Sequence, residues 1–146
     1  MLASRFPLSR FIQYLFSQCL GAVLASLLLS YLFQEHASLA ATVPSGPAMQ
    51  SFLMEMVLTF IIMFVILSVS TGGMEKGIMA GSAIGAFVGL AVLFAGPISG
   101  SSMNPARSLA PAVMSLDFGY LRIYLTAPFI GSAVAVVAFR LAHKPY

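Results

Sequence analysis

Few side chains in this 146-residue sequence are equipped for chemistry, and most of them stand apart. The two histidines, His36 and His143, lie at the polar ends of long apolar runs, and no nucleophile–base pair accompanies either. Cys19, the single cysteine, sits beside Gln18, Leu20 and Gly21 in an apolar stretch and reads as a packed thiol. One thiol builds neither an intrachain disulfide framework nor a zinc site. An enzyme reading therefore has little support, and no cofactor or metal is implied. The unusual grouping is Asn104-Pro105-Ala106-Arg107. Asn104 is the only asparagine in the chain. Asparagine is a favoured helix N-cap and proline a favoured first helical residue, so the pair predicts a helix start. Arg107 then falls in the first turn, where the positive end of the helix dipole works against a cation.

The elements that must position this group are membrane helices. Hydrophobic residues make up 60% of the chain and charged residues 8%, against about a quarter charged in ordinary soluble domains. Seven Lys and Arg with four Asp and Glu could not clothe a water-soluble surface of this size. The charges are also punctuated: none falls between Phe11 and Gln34, and none between Gly77 and Ala106. About 20 apolar residues span the hydrocarbon, so the sequence predicts spans at about Phe11–Phe33, Met49–Ser70, Ile78–Ala95 and Leu121–Arg140. Pro44-Ser45-Gly46-Pro47 marks a turn-rich loop after the first span, and residues 71 to 77 form a short polar link after the second. Gly81, Gly85 and Gly89 put small residues on one face of the third span, where a neighbouring backbone could approach closely. The basic residues are scattered with no stripe that would suit nucleic acid.

The uncharged run from Gly77 to Ala106 is 30 residues, too long for one straight span and too short for two. Gly96-Pro97 should end the third span near Ala95. The stretch from residue 104 to about 115 then predicts a short helix that enters the membrane without crossing it. Basic residues support this layout. With four crossings, Arg5, Arg10, Lys76, Arg140 and Lys144 share one side, five of the seven Lys and Arg, and the positive-inside rule makes that side cytoplasmic, with both termini on it. Irregular backbone at membrane depth is tolerated only where it is buried in protein or lines a watery cavity. An arginine there costs several kcal/mol unless it faces such a cavity. Two local costs at one place point to function.

The run Gly96-Pro97-Ile98-Ser99-Gly100-Ser101-Ser102-Met103-Asn104-Pro105-Ala106-Arg107-Ser108 resembles the second pore loop of the major intrinsic proteins, the aquaporins and glycerol facilitators. Further out, Gln18-Cys19-Leu20-Gly21-Ala22 is similar to the third helix of that family, Phe52-Leu53-Met54-Glu55 to the fourth, and Ala127-Pro128-Phe129-Ile130-Gly131 to the sixth. The resemblance implies an all-α, aquaporin-like helical bundle, here family helices three to six with one re-entrant half-helix, as a single membrane domain. It implies passive flow of water and small neutral solutes through a tetramer in the plasma membrane. The roles it implies are these: the Asn104 amide donates to passing solute, Ala106 narrows the path beside Pro105, and Arg107 lines a constriction. Glu55 accepts hydrogen bonds from the re-entrant backbone. The constriction position twelve residues before the motif asparagine is Val92, where water-selective members usually carry histidine, and Ser101 fills the remaining loop position. Ser108 departs from the aspartate common in glycerol facilitators. With Ala112, Tyr124 and Leu125 it makes the pattern most similar to nodulin-26-like proteins and bacterial relatives, which pass water, glycerol and, in several cases, uncharged metalloid acids.

The family fold has six spans and two Asn-Pro-Ala motifs related by an inverted repeat; four spans and one motif are legible here. Leu2-Ala3-Ser4-Arg5-Phe6-Pro7 resembles the stretch just after the family's first half-helix, so the expectation is that the first pore motif and the first two helices are missing from the sequence. A non-conducting remnant or assembly subunit is the main rival. A fragment of a secondary transporter is the other, and it would call for more intramembrane charges than Glu55 and Arg107.

Overall fold

The computed structural model describes residues 7–34, 40–70 and 74–143. The positions of Arg5 and Lys144 and the side chain of Lys76, used above to orient the chain, lie outside the described residues, as does His36. The described residues form five helices: α1 (Leu8–Leu32), α2 (Ala48–Ser70), α3 (Met74–Ser99), α4 (Pro105–Ser115) and α5 (Leu121–Ala142). Four of them are long and apolar enough to cross a membrane. The fifth, α4, has 11 residues. At about 1.5 Å per residue it reaches about 16 Å, half of a hydrocarbon core about 30 Å thick.

Small residues set the packing. α2 lies most extensively against α5 and also packs on α3. Gly131 of α5 rests on the Met56 carbonyl and the Phe60 N–H of α2, so closely that an added Cβ would collide with backbone. Backbones approach this closely in membranes only where a small residue leaves room. Leu58 of α2 is fully buried with Ala91 and Ala95 of α3. Toward the other end, Leu67 packs with Val136 and Phe139, and the Phe64 and Phe139 rings meet edge to face at 5.7 Å. α1 is different. Among the described helices it touches α4 alone, and most of its large apolar side chains are exposed.

Three features depart from the sequence-based expectation. α3 begins at Met74, so half of the polar link is helical; Met, Glu and Lys are good helix formers and carry the turn outward. α3 also continues through Gly96-Pro97 to Ser99 instead of ending near Ala95. A proline this close to a C-terminus forfeits one helical bond, and the freed last carbonyls find outside donors. Ser45 N donates to Ile98 O at 3.1 Å, the Ser45 hydroxyl donates to Pro97 O, and Tyr124 Oη donates to Ser99 O at 2.7 Å. Finally, the face bearing Gly81, Gly85 and Gly89 meets no atom within 4 Å among the described residues.

Candidate pore site

The segment between α3 and α4 is built from conformations that L-residues avoid. Gly100, Ser101 and Met103 have φ of 79°, 45° and 52°. A non-glycine residue in that region costs of order 1 kcal/mol or more and persists where its surroundings over-determine it. The surroundings here are explicit. Glu55 of α2 is completely buried, and its carboxylate accepts from Ser102 N at 2.9 Å, from Met103 N at 2.7 Å and from the Ser99 hydroxyl at 2.8 Å. Ser99 Oγ in turn accepts from Ser101 N at 3.3 Å. Gly100 lies against Thr42, which an added Cβ would meet at 3.2 Å.

With the donors drawn toward Glu55, the acceptors are left over. Among the described residues no hydrogen bond reaches the carbonyl oxygens of residues 100 to 103. Asn104 caps α4: its Oδ1 accepts from Ala106 N at 3.0 Å, so its Nδ2 remains available to donate. Pro105 takes the first helical position. Ala106 is buried, while Asn104 and Arg107 are exposed.

Val92, Ser101, Asn104, Pro105 and Arg107 border one open groove of about 500 Å³. Asn104, Ala106 and Arg107 also border a second, of about 380 Å³. Val92, beside the first groove, is 51% exposed. Ser101 also borders the first groove, but its hydroxyl is buried and finds no hydrogen-bond partner among the described residues. Behind α4, Ser108 is buried and bonded to the Thr42 hydroxyl at 2.7 Å and the Ser102 hydroxyl at 2.6 Å. Ala112 and Tyr124 lie beside that chain of hydroxyls. Among the described residues no group of three or more His, Cys, Asp or Glu could hold a metal.

Two residues that the motif did not single out join the site. Gln18 of α1 borders both grooves with Asn104 and Arg107. Gln18 is one of two amides, with Gln13, inside the uncharged run that forms α1, so its polarity was visible in the sequence and its place at the grooves was not. Thr42 carried no signal, because nothing in a loop sequence says which buried hydroxyl it will meet.

The site is thus a short, Asn104-capped helix entered from an irregular loop that a buried carboxylate holds, set among helices long and apolar enough to cross a membrane, as in a multi-pass helical membrane protein. The family model described as "Major intrinsic protein" matches residues 1–139, and the chain belongs to that family. It is 44% identical over 140 residues to aquaporin NIP1-4 of Oryza sativa subsp. japonica, covering 95% of this chain and 51% of that protein. It is 41% identical over 138 residues to nodulin-26 of Glycine max, covering 94% and 51%. The chain thus spans about half the length of these relatives. Its fold is similar to that of the aquaglyceroporin from Plasmodium falciparum, with a TM-score of 0.82 at 24% identity over 94% of this chain and 66% of that one.

Proposed function

We propose that this chain forms one half of the wall of a passive channel for water and small uncharged solutes such as glycerol. The observation that carries the reading is the division of labour in residues 99 to 107. Backbone donors are committed to buried Glu55, whereas the carbonyls of residues 100 to 103 are left unbonded among the described residues, and exposed Asn104 and Arg107 border the open grooves. A solute that both donates and accepts hydrogen bonds can exchange its hydration for that row. A cation would meet Arg107 and the positive end of α4, so neutral solutes are favoured. In this reading Val92, Ser101 and Arg107 form the narrow point and Asn104-Pro105-Ala106 the centre. Val92 makes the lining wider and more apolar than a histidine would.

The grooves are open on one side, and unsatisfied polar groups facing hydrocarbon cost several kcal/mol each. A second half carrying its own Asn-Pro-Ala motif is the proposed covering wall, within a tetramer whose termini face the cytoplasm. Stopped-flow swelling of proteoliposomes tests this. The 146 residues alone should give no flux above lipid, and the same residues joined to the N-terminal half of nodulin-26 should pass water and glycerol. A joined protein that inserts correctly yet passes neither would leave the non-conducting reading in possession.

A further inference from the structure

The two grooves are bordered by elements from α1 to α4, and no residue of α5 lines either of them. α5 nevertheless has an exposed outer face of its own, carrying Phe129, Ile130, Val137 and Leu141. Exposed Arg122 and Arg140 bracket that face. They are eighteen residues apart in the chain. At about 3.6 residues per turn that is about five whole turns, so the two lie in line, about 27 Å apart along the helix. The hydrocarbon core is about 30 Å thick. Polar side chains between the arginines are few, and each is already bonded. Thr126 Oγ1 donates to the Arg122 carbonyl at 2.7 Å and Ser132 Oγ to the Phe129 carbonyl at 3.0 Å, while Tyr124 is buried and donates to Ser99 O. A face that turns its hydroxyls back on its own backbone suits hydrocarbon and offers nothing to a water-filled lumen. At the Arg122 end Phe118 and Tyr120 are exposed, and aromatic residues settle at headgroup level. Asp117, the acid nearest in sequence, accepts from Gly119 N at 3.0 Å, and the Arg122 guanidinium forms no ion pair among the described residues.

We propose that this outer face of α5 is a phospholipid site. The lipid phosphate pairs with Arg122, and an acyl chain lies along Phe129, Ile130 and Val137. The spacing of the two arginines favours lipid over a second copy of the chain. Contact with a second copy would not call for two exposed cations set apart by the thickness of the hydrocarbon, whereas a bilayer places phosphate at both levels. A cation at headgroup depth is attracted more strongly to an anionic lipid than to a zwitterionic one. Arginine suits the task, because its planar fork takes two phosphate oxygens at once. The site requires only that α5 spans the membrane, so it stands or falls separately from the channel reading.

Native mass spectrometry of the joined protein in detergent, titrated with phosphatidylglycerol or with phosphatidylcholine, tests it without reading flux. The wild-type protein should bind its first phosphatidylglycerol more tightly than its first phosphatidylcholine. Arg122→Gln should weaken phosphatidylglycerol binding about fivefold, the effect of one arginine beside an anionic surface, and Arg122→Lys should retain most of the affinity. Phe129→Ala should weaken both lipids, because it removes apolar surface beneath the acyl chain. Unchanged phosphatidylglycerol affinity in Arg122→Gln overturns the site. A smaller assembly mass in Arg122→Gln, with lipid affinity retained, overturns it in favour of a second copy on this face.

Discussion

The two sides of the segment from Ser99 to Arg107 obey opposite rules. Its back is closed: Glu55, Thr42, Ser102, Ser108 and Tyr124 bond it or one another at 2.6 to 2.9 Å, with every one of these side chains buried. Its front is open, with Asn104, Arg107 and Val92 exposed and a row of carbonyls unbonded within the described residues. The lesson is that polar groups divide by orientation within one strained loop. Those that hold its shape are satisfied by protein, and those left free are available to solute. Substitutions at the back should therefore change stability and assembly, and substitutions at the front should change flux with the fold retained.

Glu55→Ala should break the comparison most severely. It removes the acceptor of two backbone N–H groups and one hydroxyl and leaves them buried, an effect of about 3 kcal/mol or more. Thermal unfolding of the joined protein in detergent should show a large fall in Tm. A front-side effect alone, with Tm unchanged, would mean that Glu55 does not hold the loop. Gly100→Ala comes next: a Cβ at φ 79° and 3.2 Å from Thr42 should destabilise by about 1–3 kcal/mol. Ser108→Ala leaves the hydroxyls of Thr42 and Ser102 one partner short, at about 1 kcal/mol, read from the same unfolding curves. Val92→His sharpens the comparison from the front. Tm should move little, while glycerol permeability falls more than water permeability because a bulkier polar ring narrows the groove; equal losses would place Val92 away from the constriction.

Much of the fold was legible because its signals are local. Uncharged length located α1, α2 and α5 to within a few residues, and Asn104-Pro105 marked the start of α4 through capping chemistry alone. The far end of α3 was not legible, since whether Pro97 ends a helix depends on donors supplied by Ser45, some fifty positions earlier in the chain. The same holds for the site. Its residue types were visible in the motif. The inward turn of the Ser101 hydroxyl and the bonding of Ser108 to Thr42 are products of tertiary packing and have no sequence signature. The glycine face of α3 is the converse case: its spacing announces close packing, yet nothing among the described residues fills it.

The position of Glu55 also constrains how the protein is made. Its three donors lie 44, 47 and 48 residues further along the chain. At ribosomal rates of about 5–20 residues per second, roughly 2–10 s separate synthesis of the carboxyl group from synthesis of the groups that will bind it. For that interval α2 carries an unpartnered acid at bilayer depth, which lipid tolerates poorly. The insertion machinery must shelter this helix or delay its release until α3 and the loop have emerged. Ribosomal pausing within the codons for residues 71 to 99 would lengthen that exposure, so the timing of translation becomes a determinant of yield.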